Sequence, residues 1–469
     1  MKKFTLFSTA AVAAMLLAGC CFKSATVETA GKKLPSPGIT GSSADPKVNE
    51  FFDVGPMASD IKLPADQIYP RGMIFPFSFY STGGGTGGRK GAKLPDPQRD
   101  ADQAKILTGG ATMVGPQYEL NFAAPAVAAK YKKAAVYTLC PVIDGVQMQG
   151  SKSFDKYTLK TLPREKIIAS LTEQVKAVAN DPSIAWWDIT PEELRWWIEC
   201  EAEYARIAVE VIRANDPLKR PIMMYEPGHR DGAAMAKLGK YYDFIAKGMY
   251  TNYYGWKNAR AWNRYSMMQE AEARRLLNRP ELTLLALPEM FQEVPAKERK
   301  MIPVWVRHDV YSALVSGAQG VLVFSARRRV KFDSHRDYLE AYLTVAEELT
   351  GKMNLGQVLL FGKPMKDLSF QTISGPKEVQ LKKGKLNTKL PAVAMVNVAY
   401  NRLRYVIVVN SSPEKVTGMI SGTPYGSDVA VNNLWSNEPP FIAAEGEFEV
   451  ELPPWGVQAY VIYRDNTQK

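Results

Sequence analysis

The sequence predicts an α/β protein, a (β/α)8 TIM barrel followed by an antiparallel β-sandwich, and three observations predict it. Between residues 71 and 354, eight short apolar segments alternate with eight helical patterns. Carboxylates stand just past the ends of several of these segments, where a barrel collects its reactive groups. Beyond residue 354 the helical patterns stop and alternating strand patterns follow one another across turn residues.

The strands are expected at 73–80, 111–115, 134–139, 184–189, 221–225, 247–251, 283–287 and 320–324. Each is short, largely apolar and bounded by turn residues, as strands covered on both faces are. Helices are expected at 101–107, 123–131, 164–180, 193–214, 232–241, 259–277, 295–316 and 336–349. In the fourth of these, Leu194, Trp197, Ile198, Ala205, Ala208, Val209 and Ile212 recur at three- and four-residue spacing and form one apolar face. An open doubly wound sheet would carry a phosphate-binding glycine fingerprint after its first strand. The glycines at 83–85 and 87–88 lie instead in a long polar loop with no acidic ribose ligand following, so no nucleotide or other cofactor is expected.

Past the barrel, strands are expected at 358–361, 393–398, 403–409, 429–434, 448–452 and 456–463. The stretch from Phe448 to Tyr460 alternates faces across Pro453-Pro454, as a closing hairpin does. The expected layout is a leader at 1–20, a tether and lead-in at 21–70, the barrel at 71–354 and the sandwich at 355–469.

The leader has a positive start at Lys2-Lys3, an apolar stretch from Phe4 to Leu17, and then Leu17-Ala18-Gly19-Cys20. That ending resembles a bacterial lipobox, which implies a lipid on Cys20 and a mature protein held on a membrane of the bacterial cell envelope. Of the other cysteines, Cys21, Cys140 and Cys200 are an odd number on distant elements and read as small buried hydrophobes. The three histidines, His229, His308 and His335, have no metal-ligand spacing, so no metal is expected.

The strand exits carry the functional argument. The fourth runs Asp188-Ile189-Thr190-Pro191-Glu192-Glu193, and the seventh Leu287-Pro288-Glu289-Met290-Phe291. A glutamate at both exits, with Trp187 in the fourth strand, resembles the clan A retaining glycoside hydrolases. The resemblance implies Glu192 as acid/base and Glu289 as nucleophile, with Glu193 the neighbouring alternative. Two such carboxylates, about 5 Å apart, protonate a leaving oxygen and trap the anomeric carbon. Pro191 departs from the family, which usually has Asn there to contact a sugar hydroxyl. Glu192 and Glu193 also suit a helix N-terminus.

The remaining exits supply a candidate lining. The fifth offers Glu226 and His229, either for sugar hydroxyls or within a satisfied loop network. At the sixth, Tyr250, Asn252, Tyr253 and Trp256 offer polar contacts and faces on which sugar rings stack, or rim packing. The clan resemblance makes Tyr250 the hydrogen-bond partner of the nucleophile. Tyr80, Tyr118 and Asp144 complete the wall. The eighth exit has Arg327-Arg328-Arg329 where the clan often places a platform Trp; Arg327 is the candidate for an anionic group. With 59 Lys+Arg against 48 Asp+Glu, net charge +11, the field favours anionic partners. No nucleic-acid motif accompanies that charge. A carbohydrate substrate is expected; a catalytically silent glycan-binding lipoprotein is the alternative, and a purely structural envelope protein the third. The oligomeric state is not legible.

Overall fold

The computed structural model describes residues 42–61, 74–82, 97–117, 124–190, 192–329, 331–426 and 428–465. Cys20, Tyr118, Pro191 and the glycine loop at 83–88 lie outside the described residues.

The eight expected strands form one parallel sheet: β1 (Phe77–Phe79), β2 (Met113–Val114), β3 (Ala134–Thr138), β4 (Ile184–Asp188), β5 (Ile222–Glu226), β6 (Phe244–Met249), β7 (Thr283–Pro288) and β8 (Val321–Val323). Their order is β1-β8-β7-β6-β5-β4-β3-β2, so each strand lies beside its neighbour in sequence and β1 meets β8. Between β1 and β2 the ring is closed by Thr112, whose N–H donates to the Phe77 carbonyl and whose Oγ1 accepts from the Phe77 N–H, both at 2.9 Å. The pleat sends alternate side chains inward. Trp186 joins Met113, Val136, Met223, Phe244, Leu285, Leu287 and Leu322 inside the barrel. Trp187 turns outward, where the Arg220 guanidinium covers its ring at 4.6 Å and Asp216 accepts from its indole N–H.

The helices are α1 (Pro46–Phe52), α2 (Pro97–Thr108), α3 (Ala124–Tyr131), α4 (Arg164–Val178), α5 (Glu199–Asn215), α6 (Gly232–Gly239), α7 (Trp262–Leu276), α8 (Ile302–Leu314), α9 (His335–Thr350) and α10 (Leu355–Phe361). Besides α1, three depart from expectation. Helix α5 begins six residues later than the apolar pattern, because residues 193–195 have other partners: the Glu193 carbonyl accepts from Ser151 N–H, the Leu194 carbonyl from Arg230, and Arg195 N–H donates to the Glu201 carboxylate. The first turn of the expected 295–316 helix is a 3-10 segment, Ala296–Met301, ahead of Pro303. Residues 358–361 belong to α10, since a four-residue apolar run serves a buried helix as well as a strand.

The C-terminal region is antiparallel. Its strands are β9 (Lys363–Met365), β10 (Ser369–Ser374), β11 (Glu378–Lys383), β12 (Leu386–Pro391), β13 (Val393–Tyr400), β14 (Leu403–Asn410), β15 (Val416–Ser421), β16 (Val429–Asn433), β17 (Glu447–Leu452) and β18 (Val457–Arg464). A five-stranded sheet, β9-β13-β14-β18-β16, faces a three-stranded one, β10-β15-β17. Val406, Val408, Tyr460 and Ile462 of the first pack on Ile420, Phe448 and Val450 of the second. Into the same core go Val48, Phe51 and Phe52 of α1. The residues around α1 are therefore no loose lead-in: Asp45 caps the helix, Pro46 opens it and Arg404 holds the Phe51 carbonyl at 2.8 Å.

Candidate active site

Glu289 follows β7 directly and is buried, 3% exposed. Its two carboxylate oxygens accept from consecutive backbone N–H groups, those of Asn252 and Tyr253 in the turn after β6. Burial pushes the carboxyl up to about 7, against the pull of those two donors and of the Arg260 charge.

The turn that presents these donors is itself braced. Asn252 accepts from Arg260 Nη1 at 3.1 Å and donates to the Tyr338 hydroxyl at 2.9 Å. Arg260 is paired with Asp309 of α8, and both are buried. The Asn252 side chain is thus committed to holding the turn, and its contribution to the mouth is its backbone N–H.

At the β4 exit the two adjacent glutamates part. Glu192 lies over Gly150: a Cβ added there would come within 2.4 Å of Glu192 Cβ and 3.0 Å of its Oε2. Glu193 faces the β5 and β6 exits, where its charge acts on Tyr225, His229, Arg230 and Tyr254. Tyr254 also feels Glu289, and burial first, then these charges, push its hydroxyl up to about 12. Its ring sits on Gly228, where an added Cβ would meet Tyr254 Cε2 at 2.4 Å. Neither glutamate opens a helix, since α5 starts at Glu199.

Aromatic rings line the space between the carboxylates. Tyr250 stacks on Tyr225 and Tyr254, with centroids at 6.4 and 6.0 Å, and meets Phe291 edge-on at 5.0 Å. Tyr80, fully buried, packs against Phe324 at 5.1 Å. Tyr80 and Tyr250 belong to the floor; among the described residues the buried Tyr80 hydroxyl has no hydrogen-bond partner, and the Tyr250 hydroxyl faces that of Tyr225 and not Glu289. Tyr253 is on the rim, 58% exposed. His229 is exposed beside Glu193; partial burial lowers its pKa, against the pull of that charge.

Two expected lining residues are elsewhere. Glu226 follows Tyr225 on β5, so the pleat turns it outward; it is fully buried, bonded to Arg230 at 2.6 Å and Tyr242 at 2.6 Å. Trp256 is buried under the β11–β12 hairpin, stacked on Trp262 at 5.1 Å beside Val379 and Leu381. Arg327 is exposed on the loop after β8. Its neighbour Arg328 pairs with Asp102, and Arg329 lies over the Phe291 and Phe324 rings at 4.7 and 5.8 Å. Asp144 pairs with Lys166 at the surface. Among the described residues no cluster of His, Cys, Asp and Glu suits a metal ion, and Cys140 and Cys200 are buried thiols outside any disulfide.

No protein-family model matches the chain, and neither does any curated protein. Among solved structures, it is similar to a catalytic mutant of a family 42 β-galactosidase from G. stearothermophilus, at 8% identity and a TM-score of 0.50, with 86% of this chain and 100% of that one covered. The fold is that of the barrel glycoside hydrolases. A family 39 glycoside hydrolase from Bacteroides cellulosilyticus is similar at 10% identity and 0.49, covering 83% of this chain and 81% of that one. A β-glucuronidase from an uncultured Clostridium aligns at 14% and 0.41 over 54% of this chain; the chain spans 43% of that enzyme.

Within this barrel, sequence reasoning passed over several mouth residues. Asp188 is fully buried at the inward end of β4, accepts from Thr138 Oγ1 at 2.9 Å and acts on Tyr80. An acid inside an otherwise apolar strand was the signal for it. Tyr225 and Phe324 end the expected strands 221–225 and 320–324 and were readable from the same pattern; Tyr254, Phe291 and Arg329 were not, because loop conformation decides where they point.

Proposed function

We propose that the protein is a retaining glycoside hydrolase in which Glu289 is the nucleophile and Glu193, rather than Glu192, the acid/base. The observation that carries this reading is the seat of Glu289, buried just past β7 on the Asn252 and Tyr253 N–H groups, with the ring of the next residue, Tyr254, on Gly228 at the β5 exit; the Glu193 and Glu289 charges both act on that ring. Glu193 donates a proton to the leaving oxygen as a Glu289 oxygen bonds to the anomeric carbon and the glycosidic C–O bond breaks. Glu193 then takes a proton from water, whose oxygen displaces Glu289 and restores the sugar hydroxyl. The Asn252 and Tyr253 N–H groups hold the carboxylate in its acceptor form, and Glu193 is the more open partner, as a proton shuttle to water must be.

The proposed substrate is an anionic poly- or oligosaccharide. Arg329 over two mouth rings and the net charge of +11 support that choice. Tyr253 supplies an open face for a sugar. Tyr253→Ala is expected to raise KM by about 2- to 10-fold, the worth of one stacked ring, with kcat and the melting temperature unchanged; a change in kcat alone would remove Tyr253 from the binding face. The test of the function is hydrolysis of a panel of neutral, uronic and sulfated glycans by purified protein. Turnover of acidic members is expected; binding without turnover would favour the silent glycan-binding reading, and neither would end both.

We further propose that Cys20 carries lipid and holds the barrel on the bacterial envelope. In cells, Cys20→Ser is expected to move the protein from the membrane to the soluble fraction and to abolish labelling by a fatty acid; unchanged partitioning would reject the anchor.

A further inference from the structure

The C-terminal sandwich reaches the barrel mouth through a line of buried hydrogen bonds. Ser411 follows β14 directly, and its N–H is held by the Ala392 carbonyl at 2.8 Å. Its Oγ lies 3.0 Å from His308 Nε2 in α8, and His308 Nδ1 lies 2.9 Å from Asp309 Oδ1. Asp309 takes Arg260 Nε at 2.9 Å and is further bonded by Arg260 Nη2 and by Thr251 Oγ1. Arg260 Nη1 then holds Asn252, whose N–H is on Glu289.

We propose that Ser411, His308 and Asp309 are positioning residues which, by fixing Arg260, make the C-terminal sandwich part of the apparatus that holds and charges Glu289.

Ser411 and His308 are fully buried, Arg260 is 1% exposed and Asp309 6%. A Ser-His-Asp line of this kind with no opening is a brace and not a nucleophilic site. Its proton arrangement follows from its members. Burial lowers the His308 pKa, so the ring is neutral and carries one proton. That proton faces the acceptor-only carboxylate of Asp309, which leaves Nε2 to accept from Ser411 O–H. Burial alone would raise Asp309, but Arg260 and His308 bring it below the usual carboxylate value. Asp309 is therefore an anion, Arg260 a cation, and their balance is what Glu289 experiences. Among the described residues, the other ionisable groups that feel Glu289 are Tyr254 from the β6 exit and Tyr338 and Tyr342 from α9. Arg264 is the further charge on His308. Of these, Arg260 is the cation that draws the Glu289 proton off.

The inference rests on Glu289 as the reacting carboxylate, and its test does not need turnover. The carboxyl carbon of Glu289 is titrated by carbon-13 NMR in full-length protein labelled at glutamate Cδ, the signal assigned by its loss in Glu289→Gln. A midpoint near 7 is expected in the parent. Arg260→Met is expected to raise it by at least about 1 pH unit, the scale of losing one nearby opposite charge. Arg260→Lys keeps the charge without the fork and covers the case in which the Met variant does not fold; a smaller rise in the same direction is expected. Ser411→Ala should raise the midpoint by about 0.3 unit, because His308 then donates less strongly to Asp309. Ser412→Ala, a buried neighbour outside the line, should not move it. A parent-like midpoint in Ser411→Ala, or an equal shift in Ser412→Ala, overturns the role of the sandwich; a parent-like midpoint in the folded Arg260 variant overturns the whole line. Absence of hydrolysis in the parent with these shifts present would reject the hydrolase reading and leave the coupling standing.

Discussion

Glu289→Ala is expected to lower kcat by at least about 10³-fold, since it removes the atom that bonds to the anomeric carbon, and Glu193→Ala to lower it by about 10²- to 10⁴-fold on substrates with a poor leaving group. The fold survives both changes if the melting temperature stays within a few degrees. Added azide separates the two roles. In Glu289→Ala it occupies the emptied space and attacks the anomeric carbon directly, giving a glycosyl azide of inverted configuration. In Glu193→Ala it displaces Glu289 from the glycosyl-enzyme, giving retained configuration. The same configuration from both variants would refute the division of roles, and a loss in Glu192→Gln as large as that in Glu193→Gln would return the acid/base to Glu192.

The pH dependence carries a sign. Burial raises Glu289 to about 7, and attack needs its ionised form, so activity should rise with pH through about 7 and fall below it. Stability runs the other way: the contribution of the protonated, buried Glu289 is fully present below the ordinary value of 4.5 and is lost as pH rises through about 7. A site that works best where it destabilises the protein most is the expected cost of a buried reacting carboxylate.

The second large effect is structural and lies at the opposite end of β4. Arg220 is 2% exposed; its guanidinium pairs with Asp216 at 2.8 Å, holds the Ala179 and Asp181 carbonyls at 2.9 and 3.1 Å beyond α4, and covers Trp187. Asp216 in turn accepts from the Trp187 indole. Arg220→Met leaves Asp216 buried without its cation and frees the Ala179 and Asp181 carbonyls, and is expected to cost about 3–5 kcal/mol in urea unfolding. The pH behaviour identifies the cause. Burial alone would raise Asp216, and bonds from Arg220 and Trp187 bring it below 3.8; the parent therefore holds this stabilisation above about 3.8 and loses it as pH falls through the lower folded value. In the variant the buried carboxylate regains a proton, so the gap between the two proteins should narrow on acidification. A gap independent of pH would assign the loss to packing on Trp187 alone.

How far the site was readable follows the range of the forces involved. Strand parity is a local property, and it was enough to place Trp186 and Asp188 inside and Glu226 outside, had it been applied to β5. Trp256 was unreadable, because the hairpin that buries it arrives more than 100 residues later in the chain. The choice between Glu192 and Glu193 was equally closed to local reasoning. It depends on Ser151 taking the Glu193 carbonyl and Arg230 the Leu194 carbonyl, contacts that suspend the helix the apolar spacing favours until Glu199.

By itself the sequence determined the alternation of strands and helices, their sequential order round the barrel and a glutamate at both the fourth and seventh exits, because apolar period and turn chemistry act over a few residues. The tertiary structure decided what holds Glu289, where the chain after β4 runs before α5 begins and how the sandwich joins the site. Those outcomes come from single hydrogen bonds between segments far apart in the chain, and no local pattern records which distant carbonyl a buried arginine will reach.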